Sequence, residues 1–134
     1  NDTTNTEYNH FDTNNKSGVF KLIHGKNTFL FVGDAEKRAE RLLIKTYGEF
    51  LNVDVLKAGH HGSKTSSSNE FISFVNPKIA LVSAGINNNF NHPSPEVIRR
   101  FQERNIVIDR TDQEGAVIYK SDGANLIKLD WRDN

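Results

Sequence analysis

"TFLFVGDAEKRAERLLIKTYGEFLNVDVLKAGHHG", Thr28 to Gly62, changes its hydrophobic period twice. It opens on a strand-like run, Thr28 to Val32. From Ala35 onward, Ala39, Leu42 and Leu43, with Tyr47 one turn further, form a helical stripe. Gly48 is placed to stop that helix, and Val53 to Leu56 reads as a short, mainly apolar strand. The two strands of such a unit normally run parallel, joined by a right-handed crossover.

The pattern extends in both directions. Upstream, Val19 to His24 alternates weakly and meets Thr28 to Val32 across a short Gly-containing turn, which predicts a β-hairpin. Downstream, Ser67 and Glu70 have capping-box spacing, Phe71, Phe74 and Val75 share a helical face, and Pro77 closes that helix. "KIALVSA", Lys78 to Ala84, reads as the most buried strand. Ser94 suits an N-cap, Pro95 the first helical position and Glu96 the positive end of the dipole; Val97, Ile98 and Phe101 give this helix its buried side. "NIVID" and then a hairpin in "GAVIYKSDGANLIKLDW" complete an α/β domain over 18–134. Residues 1–17, rich in Asn and Thr, are expected to form a polar, flexible lead.

Composition narrows the function classes. Lys+Arg and Asp+Glu are both 17, so the balance of charge gives no bulk attraction to nucleic acid or anionic membrane. Any such role must rest on a local site. Apolar residues make up 36% and the chain has no cysteine, which removes disulfides and thiolate metal sites. The apolar runs are too short to span a bilayer, and no signal peptide is visible. The opening at Asn1 suggests a piece of a longer protein.

The unusual polar residues follow strand ends. Asp34 comes after "TFLFVG", His60 and His61 after "VDVLKAG", and His92 lies in the loop leaving "KIALVSAG". Parallel strands bring their carboxyl ends to one edge, where open α/β sheets place ligands. The four residues are therefore expected to converge. Carboxylate and imidazole suit zinc or manganese, and Gly33, Gly59 and Gly62 let backbone approach an ion or a phosphate. "SKTSSS" supplies hydroxyls at a helix N-terminus, making Ser63, Lys64 and Thr65 candidate phosphate contacts. A metal beside an anion site is what hydrolysis of a phosphate ester requires.

Plainer roles stand beside these. Asp34 can cap the following helix, and His92 can merely set the approach to Pro93 and the next helix. One of His60 and His61 can serve only a backbone hydrogen bond, and Lys64 can be a solvated lysine. His10 and His24 are read as inert, and Asp112 as a turn residue.

"FLFVGDAEKRAERLL", "VDVLKAGHHGSKTSSS", "NNNFNHPSPEVIRRF" and "DRTDQEGAVI" resemble the carboxy-terminal half of the metallo-β-lactamase-like domain of ComEC-type competence proteins, bacterial membrane proteins of DNA uptake. The likeness runs from about Lys16 to Tyr119. It implies an αββα sandwich of two halves, with a divalent metal site at one edge. Asp34 matches the aspartate that commonly bridges two metals in the superfamily, and His60 or His61, with His60 favoured, matches a later histidine ligand. The implied activity is a metal-dependent nuclease acting on the DNA strand that is not imported. The superfamily's chief motif, His-x-His-x-Asp-His, belongs to the first half and does not occur in these 134 residues. The chain alone is therefore expected to bind metal weakly and to cut nothing. The apolar sheet surface left by the missing half is a possible homodimer interface. The rival reading is a non-catalytic module that binds DNA or a partner on the same fold; lactonases and RNA-processing enzymes mark other substrates that the fold admits.

Overall fold

The computed structural model describes residues 11–133. Its five-stranded sheet is made of β1 (Phe20–His24), β2 (Asn27–Phe31), β3 (Val55–Lys57), β4 (Ile79–Val82) and β5 (Val107–Arg110), side by side in that order. β1 pairs antiparallel with β2 as the expected hairpin, and β2 to β5 are parallel throughout. The crossovers carry α1 (Lys37–Tyr47), α2 (Asn69–Val75) and α3 (Pro95–Gln102). A one-turn helix, α4 (Thr111–Glu114), precedes a second sheet of β6 (Ile118–Ser121) and β7 (Leu126–Leu129). The architecture is α/β, consistent with a metallo-β-lactamase-type sandwich.

Register separates the two faces of the main sheet. Leu30, Leu56 and Ala80 lie in one row and are buried with Phe71, Ile72, Val75, Val97 and Phe101, so this face packs on the helices. The adjacent row runs Leu22, Phe29, Val55, Ile79 and Val107 on the opposite face. The terminal hairpin reaches this opposite face. Tyr119 donates to Asp109 on β5 at 2.5 Å, and the Lys26 amide donates to Gly123 O at 2.6 Å. His24 Nδ1 meets Ser121 Oγ at 2.9 Å, giving that histidine a structural place. Phe20, Leu22, Phe31 and Val107 remain open, with Phe20 69% exposed.

Several boundaries move for identifiable reasons. Helix α1 starts at Lys37, not Ala35, and Asp34 is not its cap. Asn15 Oδ1 instead accepts from the Glu36 and Ala39 amides at 3.1 and 3.0 Å, while Asp12 holds Asn15 by its amide and side chain. The supposed flexible lead thus supplies the cap of α1 from outside the strand–helix–strand unit. Phe11–Ser17 therefore belong with the packed domain, and Asn15 is 3% exposed; residues 1–10, with His10, lie outside the described residues. The cap of α2 is Ser68, whose Oγ accepts from the Phe71 amide at 3.2 Å, and not Ser67. Ser67 has φ 51 and its amide is held by the Glu40 carboxylate, which displaces the helix by one residue. Ile72 rather than Phe74 completes the buried face of α2. Ser94 and Pro95 start α3 as expected.

Candidate metal centre

Three loops leave the same rim of the sheet and are laced together by backbone. After β2, Gly33 turns with φ 55 against Ser17, and a Cβ on Gly33 would sit 2.9 Å from the Ser17 Cβ. The Asp34 amide donates to Ser17 Oγ at 3.0 Å. After β3, a 3-10 turn spans Gly59–Gly62, with His60 and His61 both left-handed at φ 47 and φ 55. Such a backbone costs a non-glycine residue about 1 kcal/mol or more. The turn is held at both ends: the His60 amide donates to Gly33 O at 3.0 Å, and the Ser94 amide to Gly62 O at 2.9 Å. These two bonds join the Asp34 loop, the histidine loop and the His92 loop.

The rings are oriented as well as gathered. His61 Nδ1 lies 2.8 Å from Ser83 O. A carbonyl only accepts, so Nδ1 carries a proton, and in the neutral ring Nε2 presents its lone pair. That Nε2 is 3.6 Å from Asp34 Oδ1. Two ligands bound at tetrahedral angles to one zinc-sized ion stand about 3.4 Å apart, so this pair has the spacing of neighbouring ligands. His60 Nδ1 lies 3.1 Å from Glu36 Oε1, which also accepts from Thr65 Oγ1 at 2.7 Å. The carboxylate fixes the same tautomer in His60, as carboxylates behind metal-bound histidines do. The His92 ring meets the His60 ring edge-on with centroids 5.6 Å apart. His92 Nδ1 is buried without a hydrogen-bond partner. Burial, and then the neighbouring His60 and His61, hold the His92 pKa below its ordinary value and favour the neutral ring.

The expected convergence of Asp34, His60, His61 and His92 is what the fold delivers. It is His61, rather than the favoured His60, that faces Asp34. The donor set fits a divalent ion in part: among the described residues, no group of three or more His, Asp or Glu is arranged to hold one.

The phosphate contacts expected of Ser63 and Thr65 are otherwise engaged. Ser63 is buried, its Oγ 2.9 Å from Thr65 Oγ1, and Thr65 serves Glu36. The N-terminus of α2 already receives a carboxylate, since Glu40 accepts from the Ser67 and Ser68 amides at 2.5 and 3.0 Å. Burial pushes the Glu40 carboxyl up, against the pull of those hydrogen bonds and of Arg100. Lys64 remains exposed to solvent. Asp112, read from the sequence as a turn residue, lies in α4 and is paired with Arg110 at 2.6 Å.

Sequence reasoning missed two neighbours of the centre. Glu36 was hidden because its partners lie 24 and 29 positions away; the only local sign was an acid two places after Asp34. Lys57 ends an apolar strand with its Nζ bonded to Ala58 O at 2.9 Å. Burial lowers its pKa, and the charge of Asp34 opposes that shift.

The family model of the metallo-β-lactamase superfamily matches residues 5–86. ComE operon protein 3 of Bacillus subtilis is 40% identical over 107 residues, which are 80% of this chain and 14% of that protein. Competence protein ComA of Neisseria gonorrhoeae is 38% identical over 112 residues, 84% of this chain and 16% of that protein. Recombination protein 2 of Haemophilus influenzae is 38% identical over 104 residues, 78% of this chain and 13% of that protein. The chain thus matches only a small part of each of these curated relatives. The resemblance drawn from "VGDAE", "HHGSKTSSS" and "HPSPE" agrees with these matches.

Proposed function

The chain belongs to the metallo-β-lactamase superfamily, and from that membership we propose that it supplies one half of a metal-dependent nuclease site used in DNA uptake. Asp34 and His61 would hold a zinc or manganese ion, with His60 and His92 beside them. The remaining donors would come from the other half of the domain. A bound ion of this kind makes hydroxide available near neutral pH and stabilises charge developing on a phosphoryl oxygen. The chain's own residues prepare for it. Ser83 O and Glu36 keep the protons of His61 and His60 on Nδ1, so that both Nε2 atoms are free to donate. Neutral His92 adds no repelling charge. Exposed Lys64 is a cation close in sequence to the histidine turn and can meet a phosphate oxygen.

The observation that carries this reading is the placement of His61 Nε2, with its lone pair exposed, 3.6 Å from Asp34 Oδ1. The test is to restore the other half and assay single-stranded DNA cleavage with manganese or zinc. Cutting that disappears in Asp34→Ala and His61→Ala supports the enzyme. The second reading is a DNA- or partner-binding module without chemistry on the same fold. Binding without cutting in the restored domain would establish that alternative. In the enzyme reading, the 134-residue chain alone cuts nothing.

The open face bearing Phe20, Leu22, Phe31 and Val107 is where the other half of the domain would pack, or a second copy in its absence. A strictly monomeric sedimentation profile at high concentration would argue against self-association. The resemblance to competence proteins supports the reading of this chain as a domain of a bacterial plasma-membrane protein; among the described residues no helix is long and apolar enough to cross a membrane.

A further inference from the structure

The loop between β4 and α3 exposes a ring that its own sequence could have hidden. Phe90 is 77% exposed and Ile86 73% exposed, the two most open large apolar side chains among the described residues. Floppiness does not account for this. Asn88 ties the loop from within: its Nδ2 donates to Gly85 O at 2.9 Å and His92 O at 2.6 Å, and its Oδ1 accepts from the Phe90 and His92 amides at 3.2 and 2.9 Å. At the base, Thr111 Oγ1 bonds both the amide and the carbonyl of Ala84, each at 2.9 Å.

The phenyl ring is also aimed. Phe90 stacks on His92 with centroids 5.9 Å apart and planes 25° from parallel, and His92 in turn meets His60. A column of rings therefore leads outward from the candidate metal centre and ends in an aromatic face open to solvent. Such a face suits a flat π-faced ligand, held beyond His92 and His60 on the outer side of the centre. A balanced formal charge leaves little general attraction for a polyanion, so stacking has to carry much of any nucleic-acid binding.

We propose that Phe90 is the stacking platform for a nucleobase of single-stranded DNA whose backbone continues from Phe90 toward the Asp34–His61 centre. This rests on the proposed nucleic-acid substrate and adds to it a binding residue. Because Phe90 is exposed, replacing it leaves the core intact.

The test is fluorescence anisotropy of the restored domain, both halves present, with a labelled oligothymidylate and with an equally long strand of abasic residues. Wild type should bind the oligothymidylate, Phe90→Leu should bind about tenfold more weakly, and Phe90→Trp should restore binding. The abasic strand should be as weak with wild type as oligothymidylate is with Phe90→Leu. In Phe90→Trp, the indole emission should be quenched by the oligothymidylate and not by the abasic strand. Equal binding by wild type and Phe90→Leu, or of both strands by wild type, overturns the platform and leaves the DNA reading standing. No binding of either strand by wild type overturns both.

Discussion

Glu36→Ala removes the carboxylate that accepts from His60 Nδ1 at 3.1 Å and from Thr65 Oγ1 at 2.7 Å. Thr65 keeps a neighbour in Ser63, but His60 loses what fixes its tautomer. A hydrogen bond to a charged group contributes about 1.5–3 kcal/mol when shielded. The His60 and Glu36 side chains are 26% and 22% exposed, so the lower end applies and solvent screens part of it. About 1.4 kcal/mol is a tenfold change in preference, so the Nδ1-protonated form of His60 should fall roughly tenfold relative to the other tautomer. Long-range proton–nitrogen NMR of the imidazoles reads this directly. In its neutral form, wild-type His60 should be protonated on Nδ1, Glu36→Ala should show a mixture, and Glu36→Gln, which keeps an acceptor oxygen, something close to wild type. In the restored domain, metal affinity should fall about 10–100-fold in Glu36→Ala. An unchanged His60 tautomer in Glu36→Ala would refute the reasoning.

Two further outcomes are expected. Arg100 donates to Ser66 O and Ser67 O at 3.0 and 3.1 Å and faces buried Glu40; Arg100→Met should cost about 3 kcal/mol by chemical denaturation, and a loss below about 1 kcal/mol would contradict that. Asp122 accepts from the Asn125 and Ala124 amides, which lowers its pKa to about 2. A depressed acid stabilises the fold above its unfolded value of 3.8 and loses that contribution as pH falls toward about 2. Carboxyl-carbon NMR should place its midpoint near about 2; a midpoint at the unperturbed value of 3.8 would show that the turn does not hold it.

What the sequence made legible was what repeats with a period or follows a strand. The stripe of Ala39, Leu42 and Leu43 fixed α1 between two parallel strands, and parallel strands then placed Asp34 and the histidines on one rim. Ser94 and Pro95 announced α3 because the N-cap and first-turn positions they mark are local, although the Ser94 side chain makes no cap hydrogen bond. Contacts across loops were not legible. Asn15 caps α1 from 21 and 24 positions upstream, and Glu40 takes the amides that would have set the α2 cap at Ser67. Neither Glu36 behind His60 nor the tilt of His61 toward Asp34 leaves a periodic trace. They depend on two consecutive left-handed residues, a local backbone that no hydrophobic pattern encodes.

Titration of the isotope-labelled chain with Mn²⁺ addresses the shared rim most directly. Weak binding suffices, because a paramagnetic ion broadens the signals of nearby nuclei even at low occupancy. Loss of signal should begin at Asp34, His61 and His60 and be abolished by the double variant Asp34→Asn and His61→Gln. Broadening centred instead on Asp109 and Glu114, the two carboxylates that share Lys128 at 2.7 and 2.5 Å, or unaffected by that double variant, would contradict the account.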